Sequence, residues 1–420
     1  MVYSSCWRQV FSHTLPVSAS FSRPLSRHFS AVIPMFHTSY IEINKQALKS
    51  NLRFLKRLTG PDVRYCSVVK GNAYGHGIEH FLPLAEECGV DYFAVHSADE
   101  ALRAVMVRRK DSHIMIMGMI DDDQISWAVE NDVSFYVFEF DRLQEAIYGA
   151  RKQNKKARIH VEVETGMNRL GFAWEDRDKL ADLLARNPEH LHIMGVCTHY
   201  AGAESVANYL RIQNQIANFN RYYWYLRKKG VRADMKHTAC SAPLVSYPQT
   251  KMDMVRIGIM QYGFWSSKET FMQYLTQNEK KRMTDNPLRQ IIGWKSKIMS
   301  IKKVKAGDFV GYGTVYQTTD DTLIATVPVG YSHGFSRSLS NLGKVLVHGR
   351  RVPVIGMVNM NMMIVDVSHC PGVKREDEVV LIGSQRNNRI TVSSFSDMVN
   401  HVNYETLVRL PREIPRFIVE

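Results

Sequence analysis

The sequence lacks several features that would assign it to a common class. No apolar run approaches the roughly 18 to 20 residues that a membrane-spanning helix needs, which excludes a helical membrane protein. The six cysteines lie far apart without a C-x-x-C pair, which predicts reduced thiols rather than a zinc site or a disulfide framework. The glycine patterns of Rossmann and P-loop nucleotide sites are also missing. What remains, 420 residues of which 45% are hydrophobic and 23% charged, is typical of a soluble globular protein with two or three domains.

Acidic residues are absent from the first 41 positions, which carry three arginines and many serines. An acid-poor, Arg- and Ser-rich start is typical of organellar transit peptides, and the lack of an apolar core argues against a secretory signal. A disordered extension, or an upstream start codon with Met35 as the natural first residue, is equally compatible with this composition. We therefore exclude residues 1–37 from the fold as a leader or extension, and expect a cytoplasmic protein with an organellar leader as the alternative.

The charge is strongly unbalanced, with 54 Lys and Arg against 41 Asp and Glu and a formal net charge of +13. Such a surplus is found in nucleic-acid-binding proteins. However, the charges are dispersed, and the longest basic runs, at 227–229 and 280–282, are short and contain no aromatic residues. We expect a basic enzyme with an anionic ligand and no nucleic-acid partner.

Between residues 38 and 288, short apolar segments alternate with amphipathic helical patterns. Asn44 is a candidate helix cap, and apolar residues recur at helical spacing after it. This rhythm favours an N-terminal (β/α)8 TIM-type barrel over an open doubly wound sheet. The eight predicted strands cover 65–69, 92–95, 114–119, 133–138, 158–163, 191–198, 233–237 and 254–260.

The pattern changes near residue 289, where helical stretches give way to short strands separated by Gly and Asp turns. The segment 289–420 is therefore predicted to be a C-terminal, mostly-β domain. The polar stretch 266–287 before it is interpreted as a linker or an exposed excursion. The predicted strands of this domain cover 294–304, 323–327, 344–347, 352–355, 362–367 and 378–382.

Residues with chemical potential follow the predicted barrel strands, whose carboxyl ends form the active-site face of such barrels. Lys70 ends an apolar strand, where partial loss of hydration lowers the pKa of an amine and makes it a nucleophile; the alternative is that its side chain simply reaches solvent. Two histidines, an arginine and small residues follow later strands, a combination that suits an anionic cofactor with a phosphate. They are His199, His237, Ser241, Arg256, Gly258 and Ile259.

The segment 68–77, Val-Val-Lys-Gly-Asn-Ala-Tyr-Gly-His-Gly, resembles the pyridoxal-phosphate attachment motif of the alanine racemase family. The resemblance extends from about Thr38 to Val419. It implies a fold-type III pyridoxal 5'-phosphate enzyme, with a barrel and a β domain, that works as a homodimer with shared active sites. Further matching blocks occur in order at 164–171, 198–199, 237–241, 254–259, 311–313, 330–331, 360–361 and 404–405.

The resemblance also implies roles for individual residues. Lys70 would bind the cofactor as a Schiff base, His199 would pack beside its ring, and Arg256 would face the pyridine nitrogen and leave it unprotonated, because arginine does not give up its proton. His237 would belong to the same hydrogen-bonded group. Residues at the cofactor phosphate would be Tyr74, Ser241, Gly258, Ile259 and Tyr404.

Racemisation requires two bases on opposite faces of Cα, and the resemblance assigns them to Lys70 and to Tyr312 of the partner subunit. Tyrosine has a pKa near 10, so base catalysis near neutrality requires a lower value; a hydrogen-bond chain through His199, His237 and Arg256 could provide it. The residues at the substrate would be Arg169, Tyr331, Met360 and Asn361.

Three departures from the family pattern concern the substrate more than the reaction. Glu162 stands where many members have a lysine that becomes carbamylated, so we expect no carbamate and a direct role of the carboxylate in steadying Arg169. The segment 330–334 reads Gly-Tyr-Ser-His-Gly in place of Gly-Tyr-Ala-Asp-Gly, and Asn361 replaces an aspartate.

These observations favour a racemase that interconverts L- and D-alanine. A serine-preferring or broader racemase is the main alternative. A related barrel decarboxylase would need a second carboxylate or cysteine motif that is missing here, and a noncatalytic cofactor carrier would lack the β domain. An RNA-associated protein is suggested only by the charge.

Overall fold

The computed structural model describes residues 37–277, 285–396, 398 and 402–420. Most of the predicted leader, residues 1–36, lies outside the described residues, as do residues 278–284 of the predicted linker. Within the part described, no helix combines the length and the apolar character that crossing a lipid bilayer would require.

Eight parallel strands of the described chain form the N-terminal barrel, which confirms the predicted fold class. They are short and almost entirely buried, because helices cover the outside of the sheet and side chains fill its interior. Backbone hydrogen bonds from Asp253 N–H to Lys236 O (3.1 Å) and from Arg256 N–H to Ala239 O (2.9 Å) join the two terminal strands. The strands are β2 (Arg64–Val68), β3 (Tyr92–Val95), β4 (His113–Ile116), β5 (Ser134–Val137), β6 (Ala157–Glu162), β7 (Leu191–Cys197), β8 (Met235–His237) and β9 (Met254–Ile257). Neighbouring strands in the sheet follow the order β8-β7-β6-β5-β4-β3-β2-β9.

Helices alternate with these strands as the sequence predicts. Asn44 caps the first, since its side-chain oxygen accepts a hydrogen bond from Ala47 N–H at 2.6 Å. The α-helices of the barrel region cover Lys45–Thr59, Ile78–Glu87, Ala98–Val107, Asp122–Glu130, Phe140–Gln153, Arg177–Ala185, Tyr209–Lys228, Ser241–Ser246 and Lys268–Thr276, with a single turn at Lys70–Tyr74. Four 3-10 helices cover Trp174–Asp176, Val206–Asn208, Pro248–Thr250 and Ile259–Tyr262.

A second sheet, of ten described strands, builds the C-terminal part. The strands are β1 (Ser39–Asn44), β10 (Ile292–Lys297), β11 (Ser300–Val304), β12 (Thr322–Val327), β13 (Lys344–Val347), β14 (Arg350–Ile355), β15 (Met363–Asp366), β16 (Glu378–Gln385), β17 (Asn388–Ile390) and β18 (Arg416–Val419). Their order in the sheet is β11-β12-β15-β14-β13-β16-β10-β1-β18, with β17 paired to β16, and all pairs are antiparallel except β1 with β18. Helices in this part cover Tyr331–His333, Arg337–Leu339, Val392–Ser396 and Asn403–Val408, the first two being 3-10 turns.

The structure differs from the sequence-based expectation at three places. Strand β1 precedes the barrel in the chain but pairs with β10 and β18, so the second sheet includes residues from both ends of the described chain. The segment 266–287 contains the helix Lys268–Thr276 and is not a plain linker. The predicted strand 294–304 is two strands, because Ile298 and Met299 turn to bond Asp377 and Thr326. The domain boundaries themselves stay a prediction.

Candidate active site

A cavity of 520 Å³ lies where the barrel strands end in the carboxyl direction, and its size is in the range of small-molecule sites. Most of the residues singled out from the sequence line this one cavity, although they come from distant parts of the chain. They are Lys70, Tyr74, Arg169, His199, Ser241, Arg256, Gly258, Ile259 and Tyr404.

Lys70 lies two residues after β2, with its side chain in the cavity. Loss of hydration, followed by the positive charge of Arg169, lowers the pKa of its amine from the usual lysine value. A lower pKa increases the fraction of neutral amine, which is the nucleophilic form. The position is therefore suited to covalent attachment of a carbonyl compound.

The turn after Lys70 has an unusual backbone. Gly71, Asn72, Ala73 and Tyr74 all have φ between 51° and 63°, so the chain makes one left-handed turn. Each non-glycine residue in this conformation costs about 1–2 kcal/mol. Hydrogen bonds hold the turn in place, from Asn72 N–H to a Glu100 carboxylate oxygen (2.9 Å) and from Ala73 N–H to Val69 O (2.7 Å). The turn places Lys70 and Tyr74 in the same cavity.

Tyr74, Ser241, Gly258 and Tyr404 form one group in the cavity. The Ser241 hydroxyl accepts a hydrogen bond from Gly258 N–H at 3.0 Å, and the rings of Tyr74 and Tyr404 lie 5.9 Å apart. A Cβ atom at Gly258 would lie only 2.4 Å from the Tyr74 hydroxyl, so this close approach requires glycine. These hydroxyl groups could hold a small oxyanion such as a phosphate.

Arg256 lies buried on β9 and is held by four hydrogen bonds. Its Nη1 atom donates to His237 Nδ1 (2.5 Å) and to His237 O (2.7 Å), while Nη2 donates to Thr198 O (2.8 Å) and Thr238 O (3.2 Å). Among the described residues, its Nε–H group donates no hydrogen bond. The guanidinium group is thus fixed and retains one donor for a ligand.

A chain of hydrogen bonds continues from Arg256 into the barrel. Because arginine can only donate, His237 Nδ1 must be the acceptor, which leaves the proton on His237 Nε2. This atom lies 2.8 Å from His160 Nδ1, and His160 Nε2 lies 3.1 Å from the Tyr92 hydroxyl. Burial lowers the pKa of both histidines well below the usual value, so the chain is neutral apart from Arg256. His237 therefore does not line the cavity as a ligand contact but fixes Arg256.

His199 lines the cavity but is not part of this chain. Burial, and next the charge of Arg256, lowers its pKa to about 3, which keeps the ring neutral near pH 7. Of the expected chain through His199, His237 and Arg256, the link between Arg256 and His237 is formed, and His160 extends it into the barrel. The part through His199 stays a prediction.

Glu162 and Arg169 line the same cavity without forming an ion pair within the described part of the chain. Burial raises the pKa of the Glu162 carboxyl, and the charges of Arg256 and Arg169 partly offset this effect. Because the two side chains form no ion pair, the expected direct contact between Glu162 and Arg169 is not formed in the described part of the chain. The exposed guanidinium of Arg169 remains accessible to a carboxylate ligand.

Four predicted site residues lie on the C-terminal part and not in this cavity: Tyr312, Tyr331, Met360 and Asn361. Tyr312 is 71% exposed, Met360 56% and Tyr331 41%. The turn of Tyr331 is joined to the loop of Met360 by bonds from Tyr331 N–H to Asn359 O and from Asn361 Nδ2 to the Ser332 hydroxyl, both 3.0 Å.

Sequence reasoning missed several cavity residues and their supports. Tyr136 and His160 lie within apolar strands and look like core residues in the sequence. The available signal was alternation, because every second residue of a barrel strand points inward, which groups 158, 160 and 162 into one set. Other cavity residues that were not assigned a role are Val68, His96, Met117, Leu170, Glu204, Cys240, Ala242, Ser266 and Val402.

Comparison with known proteins gives a consistent result across both sheets. Residues 43–265 match the family described as "Alanine racemase, N-terminal domain", and residues 291–418 match "Alanine racemase, C-terminal domain". The chain is 33% identical to alanine racemase 1 of Caldanaerobacter subterraneus over 379 residues, covering 90% of this chain and 93% of the relative. Among solved structures, it is similar to alanine racemase from Clostridium difficile 630 (TM-score 0.83, 30% identity, covering 92% and 97% of the two chains). It is also similar to alanine racemase from Bacillus anthracis with bound L-Ala-P (TM-score 0.82, 29% identity, covering 92% and 96%).

Proposed function

Because the chain belongs to the alanine racemase family and is therefore an isomerase, we propose that it interconverts L- and D-alanine with pyridoxal 5'-phosphate as its cofactor. The observation that carries this proposal is that three features line one cavity. They are the Lys70 amine with its lowered pKa, the fixed guanidinium of Arg256, and the group of Tyr74, Tyr404 and Gly258 around Ser241. An alanine racemase with bound L-Ala-P among the similar structures supports the choice of substrate.

The chain's residues fit the cofactor at both of its ends. The hydroxyl groups of Tyr74, Ser241 and Tyr404, with the space left by the missing side chain of Gly258, would hold the phosphate. Arg256 would face the pyridine ring with its remaining Nε–H, and Lys70 would bind the cofactor covalently. When bound, the cofactor supplies an electron-withdrawing ring that makes the Cα proton of an amino acid removable.

Arg256 would control the protonation of the cofactor ring. Arginine keeps its proton at any physiological pH and can only donate, so a ring nitrogen beside it would stay an acceptor. The His237–His160–Tyr92 chain holds the guanidinium in one orientation. This arrangement would favour return of a proton to Cα over reactions that need a stronger electron sink.

Exchange of the Cα proton needs a base on each face, and Lys70 can serve only one. We infer that Tyr312 of the partner subunit serves the other, since Tyr312 is exposed and lies outside the cavity of its own chain. Arg169 would bind the substrate carboxylate, with Tyr331, Met360 and Asn361 of the partner narrowing access. The working form is thus a homodimer with two shared sites.

The test is chiral chromatography of L-alanine incubated with purified protein and pyridoxal phosphate, run beside L-serine and L-lysine. D-alanine as the dominant product supports the proposed reaction and substrate. D-serine or D-lysine with little D-alanine would keep the racemase and assign the altered selectivity to the group of Ser332, His333 and Asn361. No D-product from any of the three would contradict the proposal.

A further inference from the structure

Tyr136 lies on β5 with 5% of its surface exposed, and it lines the cavity of the candidate site. Its hydroxyl group is buried, and no oxygen or nitrogen atom of the described residues pairs with it. Buried side-chain hydroxyls are rarely left without a partner in folded proteins. A free donor that borders a ligand cavity therefore indicates a contact with the ligand.

The neighbours of Tyr136 do not provide a strong partner. The Cys197 thiol lies within hydrogen-bond reach of the hydroxyl and raises the pKa of the phenol, but sulfur is a weak acceptor. The rings of His160 and His237 lie 5.9 Å and 6.1 Å from the Tyr136 ring, and their nitrogens bond to each other, to Tyr92 and to Arg256. Burial raises the pKa of Tyr136 well above the usual value, so the hydroxyl keeps its proton and can donate it.

The rings around Tyr136 indicate which part of the cavity it faces. Its ring lies 6.1 Å from that of His237, which accepts a hydrogen bond from Arg256, whereas the Tyr74 ring lies 5.9 Å from that of Tyr404 in the proposed phosphate group. Tyr136 is therefore on the Arg256 side of the cavity, where the pyridine ring of the cofactor is proposed to lie.

We propose that the Tyr136 hydroxyl donates a hydrogen bond to the ring portion of bound pyridoxal phosphate. This inference rests on the proposed function, to which it adds a cofactor-binding residue. Tyr136 and Arg256 then form two donors on the ring side, one neutral and one charged, opposite the hydroxyl groups that hold the phosphate.

The experiment compares Tyr136→Phe with Tyr200→Phe. Tyr200 is a matched control, because it is 2% exposed, its hydroxyl group is buried, and it does not line the cavity. The cofactor is removed, and its dissociation constant is measured by titrating pyridoxal phosphate into each cofactor-free protein. The urea midpoint of each cofactor-free protein is measured in parallel.

We expect Tyr136→Phe to weaken cofactor binding about 2- to 10-fold, the range for one hydrogen bond, and Tyr200→Phe to leave it unchanged. The cofactor-free Tyr136→Phe protein should unfold at the same or a higher urea concentration than the wild type, because the change removes an unpaired buried hydroxyl. Unchanged cofactor affinity in Tyr136→Phe, or equal weakening in both variants, would overturn the inference. If the wild type itself binds no pyridoxal phosphate, the proposed function fails together with it.

Discussion

At the scale of single residues, the side chain of Lys70 combines access to the cavity with an amine that is easier to deprotonate than usual. Burial is the main cause of its lowered pKa, and Arg169 adds to the effect. Lys251 offers a matched control, since burial also lowers its pKa and it donates to Leu58 O, outside the cavity.

We expect Lys70→Ala to abolish the absorbance of lysine-bound cofactor near the edge of the visible spectrum, and to reduce racemase activity about 100-fold or more. The absorption spectrum of the protein mixed with pyridoxal phosphate measures the first effect. Lys251→Ala should retain both the absorbance and the activity. A Lys70→Ala protein with the wild-type spectrum would show that the attachment site lies elsewhere.

Residues of the site differ in how far the sequence can predict them. Lys70, Ser241 and Gly258 lie within four residues of strand ends, which is where active-site residues of such barrels gather. For Lys70, position alone left open that its side chain reaches solvent, and the motif of residues 68–77 decided between the two. Tyr136 and His160 do not stand out in this way, because a tyrosine or histidine inside a buried strand is more often a packed core residue. Only the observed hydrogen bonds, or their absence at Tyr136, separate the two cases.

At the scale of elements, the structure adds pairings and turns that local patterns do not contain. The eight barrel strands were predictable because buried parallel strands form continuous apolar runs. The pairing of β1 with β18 joins Ile41 to Arg416, a separation that no local pattern encodes. The left-handed turn at Asn72, Ala73 and Tyr74 was equally hidden, because alanine and tyrosine, unlike Gly71 and Asn72, rarely adopt positive φ.

The turn after β9 gives a prediction about space rather than charge. A Cβ atom at Gly258 would lie 2.4 Å from the Tyr74 hydroxyl, so Gly258→Ala should cause a steric clash in this group. Forcing such an atom into a packed group costs about 1–3 kcal/mol, which corresponds to about 5- to 150-fold weaker binding of pyridoxal phosphate.

Gly149→Ala is the control for this change. Gly149 lies inside the helix Phe140–Gln153, its nearest neighbour to an added Cβ is 3.7 Å away, and alanine there should stabilise the helix by up to about 1 kcal/mol. Cofactor titration and urea unfolding of both variants separate the two effects. Equal cofactor affinity in Gly258→Ala and wild type would mean that the phosphate does not bind beside Tyr74.

At the scale of the whole molecule, one chain carries two groups of proposed site residues that do not line the same cavity. Lys70 and the proposed cofactor residues line the barrel cavity, whereas Tyr312 is 71% exposed on the C-terminal part. In a two-fold symmetric dimer, each surface can contact the other copy, so two incomplete sites become two complete ones. This arrangement predicts that two different inactive chains can restore activity together.

We therefore expect a mixture of inactive Lys70→Ala and Tyr312→Phe chains to recover activity after their dimers are dissociated and re-formed. Equal mixing makes about half of the dimers mixed, each with one intact site of two, so activity should return to about a quarter of the wild-type value. Chiral chromatography of alanine measures the recovery. A mixture of Lys70→Ala with the Lys70→Ala/Tyr312→Phe double variant should recover nothing. If mixed dimers form, as shown by co-purification of differently tagged chains, and the first mixture stays inactive, Tyr312 does not complete the site of its partner.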